Sequence, residues 1–296
     1  MSDLILSKIK SFEGHRGAVY GLCQGNDNEF YSSGGDGYLV KWSLDAEMAD
    51  GQLVAKTEKA LFCCAFDPAK QLIAAGDLQG ILYVIDAVQQ TIVLTSRCHQ
   101  GAIYSIEFTE QQLITAGADG SLCVLDTRHF DVVKKIKVSD KSLRSIYPFS
   151  DQLLIGSSDG MLYLYESASL QPILSFAAHS HSIFTAIADA QLYYSGGRDA
   201  LLKIWDNPSN PSCMGEIKAH QGTINSLCFF GDWLISAGRD KLLRVWQKDG
   251  RLAESKGPFT GGHFHSINKV IWHHHTSTLL SASDDKTIIV WKEVAT

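Results

Sequence analysis

The chain has 296 residues, of which 45% are hydrophobic and 20% charged, and its formal net charge is −6 at neutral pH. This composition excludes wholesale disorder and supplies enough apolar mass for a large core. The acidic balance is the wrong sign for broad phosphate-backbone binding, and no apolar run approaches the roughly 18 residues of a membrane-spanning helix.

The opening stretch, MSDLILSKIKSFEGH, lacks a charged segment followed by a long apolar core. We therefore expect no secretory leader and a cytoplasmic location. Within it, LILSKIKSF at residues 4–12 reads as a strand with no repeat of its own. A repeating pattern follows: a small residue, Gly or Ser, an Asp, a short apolar strand and often a Trp. In chain order the copies are SSGGDGYLVKW at 32–42, the weaker AAGDLQGILYVID at 74–86, TAGADGSLCVLD at 115–126 and IGSSDGMLYLY at 155–165. SGGRDALLKIW at 195–205, SAGRDKLLRVW at 236–246 and SASDDKTIIVW at 281–291 complete the set of seven. Corresponding strand ends, Trp42, Ile85, Leu125, Tyr165, Trp205, Trp246 and Trp291, are spaced by 43, 40, 40, 40, 41 and 45 residues. That period, filled with short β-rich segments and Gly, Asp and Asn turns, fits one propeller blade per repeat. The strands are apolar at both parities, as LLKIW and TIIVW show. Blades that pack against a neighbour on each face require this.

Upstream of most copies stands a histidine: His15, His99, His179, His220 and His263, four of them preceded by Gly or Ala. With these residues in register, the whole chain resembles the WD40-repeat family. The resemblance implies an all-β, seven-bladed WD40 β-propeller, with residues 1–296 as a single domain. The last repeat ends five residues before the end of the sequence, at KEVAT, without a fourth strand. Residues 4–12 resemble the CMGEIKAH segment before the sixth unit and are expected to supply that outer strand and close the ring.

The resemblance also assigns the repeated polar residues to hydrogen-bonded structural tetrads. The complete sets are His15–Ser32–Asp36–Trp42, His179–Ser195–Asp199–Trp205, His220–Ser236–Asp240–Trp246 and His263–Ser281–Asp285–Trp291. The third blade keeps His99, Thr115 and Asp119 but has Leu125 at the Trp place. An active site would occur once, and a constellation repeated four times reads as framework, so no catalytic residue is expected. In the second blade Thr57 and Gln79 stand at the His and Asp places. In the fourth, Ser139, Ile155, Asp159 and Tyr165 stand at the His, Ser, Asp and Trp places. These two blades are expected to be less rigid, or braced by apolar packing alone.

WD40 proteins commonly dock partners on the top rim, and two positions per blade face it. The residue five after the His gives Tyr20, Phe62, Tyr104, Arg144, Phe184, Asn225 and Asn268. The residue before the Asp gives Gly35, Leu78, Ala118, Ser158, Arg198, Arg239 and Asp284. Aromatics with Arg144, Arg198 and Arg239 make an interface-like composition. They are expected to bind a protein or peptide with an apolar anchor and an acidic or phosphorylated group. The alternative is that the aromatics plug the channel and the arginines are merely solvated.

The odd count of seven cysteines, with no CxxC pair, reads as buried reduced thiols. His273, His274 and His275 fall at a hairpin turn where successive side chains diverge, so no metal site is expected. The reading is thus a monomeric, non-enzymatic interaction scaffold without a cofactor. The alternatives are a structural subunit of a larger complex, possibly RNA-associated, or an enzyme using the central channel. Composition disfavours nucleic acid as the partner.

Overall fold

A computed structural model describes residues 5–45, 50–206 and 211–294. It contains seven four-stranded antiparallel sheets arranged as a seven-bladed propeller. Blades one to six each run from an inner strand beside the central channel to an outer strand at the rim, in sequence order. The inner strands are Val19–Gln24, Leu61–Asp67, Ile103–Phe108, Leu143–Phe149, Ile183–Ala188, Ile224–Phe230 and Ile267–His273. Each touches the inner strand of the next blade, and the seventh touches the first.

Blade seven closes the ring. Its outer strand is Ile5–Phe12, paired antiparallel with Ile288–Val294 from Ile5 opposite Val294 to Phe12 opposite Ile288. Leu4, the first residue expected in this strand, lies outside the described residues. Leu6 and Phe12 are each 1% exposed. Leu6 joins the apolar cluster between blades six and seven, and Phe12 the cluster between blades seven and one. Phe12 sits edge-on to Phe30 and Trp42, with ring centroids 5.2 and 5.3 Å away. Chain segments far apart in sequence therefore share one core, which removes an exposed sheet edge.

The apolar residues sort into seven clusters, one between each pair of neighbouring blades. This is why the strands are apolar at both parities: each sheet has two buried faces.

Polar chains tie the loops to the sheets. In blade one the Trp42 indole N–H donates to Ser32 Oγ at 2.7 Å, and the Ser32 hydroxyl donates to His15 Nε2 at 2.7 Å. His15 Nδ1–H donates to Asp36 at 3.0 Å. Asp36 also accepts from the amides of Arg16 and Tyr38, at 2.7 and 3.0 Å. Only one ring tautomer satisfies this relay. The Trp205–Ser195–His179–Asp199, Trp246–Ser236–His220–Asp240 and Trp291–Ser281–His263–Asp285 sets repeat it with links of 2.7–3.0 Å. In blade three His99 bridges Thr115 and Asp119 at 2.8 Å each, and Leu125 fills the indole's place. Burial pulls the His15, His99 and His179 rings below the ordinary imidazole range, against the opposing pull of their Asp partners. Burial would raise the Asp36 and Asp119 carboxyls, but the amides and imidazoles that donate to them outweigh it and hold both low.

Blades two and four correct the expectation that apolar packing alone braces them. In blade two the turn acceptor is Asp77, two residues before the expected place. It is fully buried and accepts from the amides of Gln79 and Ile81, both at 2.8 Å. In blade four the Ser139 hydroxyl donates to Asp159 at 2.5 Å, and the Tyr163 hydroxyl donates to the same carboxylate at 2.8 Å. A shorter side chain at the histidine place is thus compensated by a shifted acid or by a tyrosine. The cysteine expectation also needs one correction. Cys63, Cys64, Cys98 and Cys123 are buried, but Cys213 is exposed on the outer strand Cys213–Lys218.

Candidate partner-binding face

The loops carrying the histidines and the Asp turns share one end of the propeller, here called the top. Each inner strand carries a register shift against its neighbour at its top end. The residue skipped is Tyr20, Phe62, Tyr104, Arg144, Phe184, Asn225 or Asn268. A bulge re-aims the side chain it displaces. Repeated seven times, it turns these side chains onto the mouth of the channel, where all seven line one cavity.

They form a connected arc. Tyr20 and Phe62 are 5.0 Å apart by ring centroids, and Phe62 and Tyr104 are 5.8 Å apart. The Arg144 guanidinium lies 4.1 Å from the Tyr104 centroid and 4.7 Å from that of Phe184, and its Nε–H donates to Ser158 Oγ at 3.1 Å. Stacking of this kind fixes a guanidinium while leaving edge N–H groups for a ligand. Asn225 and Asn268 serve differently. The Asn225 amide donates to the Ile267 carbonyl at 2.8 Å. The Asn268 amide donates to the Val19 carbonyl at 3.0 Å and to Asp284 at 2.8 Å. Both tie a blade to its neighbour.

Around the mouth the charge is uneven. Arg198 and Arg239 are exposed on the turns of blades five and six, and their side chains make no hydrogen bond or ion pair among the described residues. Lys241 and Lys286 are exposed on the turns of blades six and seven, and Asp284 is the exposed acid of the turns of blades five to seven. Leu78 is exposed on blade two, and Gly35, Ala118 and Ser158 occupy the same turn position elsewhere. The loop from blade six to blade seven adds Phe259, fully exposed on the 3-10 turn Pro258–Thr260, and Phe264, 67% exposed. Motif positions did not predict these two rings. The signal was the 45-residue spacing from Trp246 to Trp291, the longest of the set.

The histidine run lies at the opposite end. His273 closes its strand, fully buried, donating from Nε2 to the Glu29 carbonyl at 2.9 Å and accepting at Nδ1 from Thr276 at 2.9 Å. His274 is exposed beside the Trp272 ring at 4.3 Å, and His275 is exposed. Among the described residues, no three His, Cys, Asp or Glu side chains come together as a metal site.

The profile for the WD domain, G-beta repeat, matches residues 6–43, 170–206, 211–247 and 256–292. The chain is 24% identical over 195 residues to human apoptotic protease-activating factor 1, covering 62% of this chain and 15% of that protein. It is 24% identical to a guanine nucleotide-binding protein subunit beta of Oryza sativa subsp. japonica, covering 78% of this chain and 54% of the relative. It is 23% identical to the E3 ubiquitin-protein ligase COP1 of Arabidopsis thaliana, covering 89% of this chain and 43% of that protein. The chain thus spans about half or less of the length of these relatives. Among solved structures, the WD40 β-propeller domain of Doa1 superposes with a TM-score of 0.86 at 19% identity, covering 99% of this chain and 97% of that one.

Proposed function

Because the chain belongs to the WD40-repeat family, we propose that it is a non-enzymatic scaffold whose top face holds a partner peptide or loop carrying an apolar anchor and an acidic or phosphorylated group. The observation that carries this reading is the pairing, on one face, of the exposed rings of Phe259 and Phe264 with the exposed, unpaired guanidiniums of Arg198 and Arg239. Exposed aromatics lose little on desolvation, and guanidiniums recognise carboxylate or phosphate in a fork. Arg144, held between Tyr104 and Phe184, extends the cationic sector to the channel mouth.

The experiment compares partner capture by the native protein with capture by Tyr104→Ala combined with Arg239→Glu, and by Phe259→Ala combined with Phe264→Ala. Loss of capture with an unchanged melting temperature supports the reading. Unchanged capture by both variants places the interface elsewhere.

One observation favours a second reading, a buttressing subunit of a larger assembly. Ile92 and Val93 on the outer strand of blade two, and Val132 and Val133 on that of blade three, expose adjacent apolar side chains on the side of the ring.

A further inference from the structure

The lumen of the ring, from the mouth inward, is an open cavity of about 650 Å³, within the size range of small-molecule sites. Two opposite charges enter it from different walls, Glu107 on the inner strand of blade three and Lys269 on that of blade seven. Around a ring of seven these blades stand three apart, the widest separation available. Neither side chain makes a hydrogen bond or ion pair among the described residues. Both reach the shared lumen: the Lys269 charge acts on the thiols of Cys23, Cys63 and Cys228, which come from three other blades, and on Glu107 itself. Burial pushes the Glu107 carboxyl up to about 7, and the Lys269 charge offsets this only in part.

Charges drawn partly out of bulk water and only partly offset by one another favour a ligand that matches both. In the walls of this cavity the Ser145 hydroxyl and the Trp272 indole N–H are buried away from the lumen surface, without a partner among the described residues. The contrast at Ser145 is specific. At the same strand position Ser105, Thr185 and Ser226 each accept an amide N–H from the following blade, at 3.0–3.2 Å.

We propose that the lumen binds a small zwitterion of the α-amino-acid type, its ammonium directed to Glu107 and its carboxylate to Lys269. A ligand with one charge would leave the opposite wall unmatched, whereas a zwitterion satisfies both and brings no net charge into the ring. This site shares the channel with the rim side chains at its mouth, but its test does not depend on a partner.

Isothermal titration calorimetry of the whole chain with the common L-amino acids, each alongside its N-acetylated and carboxamide forms, tests the assignment. The expected result is saturable one-to-one binding of at least one zwitterion, with the N-blocked and C-blocked forms weaker by at least about tenfold. Glu107→Gln and Lys269→Met, checked for native melting, should each weaken it by a similar factor. No saturable binding by any of them would mean that water alone fills the lumen and would overturn the proposal. So would equal binding of blocked and free forms by the native protein, a comparison that needs no variant to fold.

Discussion

A β-carbon added to Gly34 would stand 2.8 Å from Nδ1 of His15. In blade three the same relation is tighter, 2.3 Å between a β-carbon on Gly117 and Nδ1 of His99. In these two blades the imidazole stands where a side chain at the glycine's place would go. Blade two solves the packing the other way. Thr57 leaves that volume open, and the side chain at the glycine's place is Asp77, which becomes the turn acceptor.

The two solutions should therefore be exchangeable only as pairs. In blade one, His15→Thr leaves Asp36 without its imidazole and should cost about 2 kcal/mol. Gly34→Asp alone forces a clash and should cost more. The double variant should recover at least about 1 kcal/mol relative to the sum of the singles. Urea unfolding of the four proteins in this cycle reads the coupling directly, and strict additivity would show that the two positions do not share one volume.

Closure concentrates stability at one strand. Phe12→Ala removes a ring enclosed by Phe30 and Trp42 and should cost about 3–5 kcal/mol. Deleting residues 1–12 should lower the melting temperature much further, because it exposes the edge of Ile288–Val294 and opens two clusters. A truncated protein that melts like the native one would refute closure by this strand.

Much of this was legible because it is redundant. Seven copies at a nearly constant spacing determine the blade, and Trp42, Trp205, Trp246 and Trp291 mark the same strand end each time. Asp77 escaped because its role depends on a volume vacated by Thr57, twenty residues away, which no single repeat displays. Arg144 was readable as a rim residue, but its place between Tyr104 and Phe184 depends on two neighbouring blades. Glu107 and Lys269 were invisible as a pair for the same reason: the ring, and not the repeat, brings them to one lumen.

Stability should fall with acid in two stages. The His15, His99 and His179 rings titrate below the unfolded imidazole value, so the stability they contribute is complete above about pH 6.5 and is lost as pH falls through their folded values. The depressed carboxyls of Asp36, Asp119 and Asp240 add a second loss below about pH 4. Glu107 has the opposite sign. Its raised carboxyl favours the fold when protonated, and that contribution fades as pH rises through about 7. Melting curves of Glu107→Gln should accordingly gain on the native protein above pH 7, by up to about 2 kcal/mol, and converge with it in acid. A constant offset at every pH would show that the Glu107 charge carries no cost in the lumen.

The turn at the top of each blade needs a left-handed residue just after the Asp place. Blades one to four use Gly37, Gly80, Gly120 and Gly160, while blades five to seven place Ala200, Lys241 and Lys286 there at φ of 66°, 72° and 71°. A left-handed L-residue costs about 1–2 kcal/mol, and glycine's added chain freedom returns roughly half of that. Ala200→Gly, Lys241→Gly and Lys286→Gly together should stabilise the fold by about 1.5–3 kcal/mol. Chemical denaturation that shows a loss would mean that their side chains contribute contacts outweighing the strain.

We propose that the top face selects an acidic partner with an apolar anchor. Fluorescence polarisation measures it most directly, using a labelled library of Phe- or Leu-centred peptides whose flanks are acidic, phosphorylated, neutral or basic. Binding confined to the acidic and phosphorylated sets is predicted, weakened at least about tenfold by Arg198→Glu with Arg239→Glu and relieved by added salt. Equal binding of basic and acidic flanks, or acidic binding untouched by reversal of the two arginines, would contradict it.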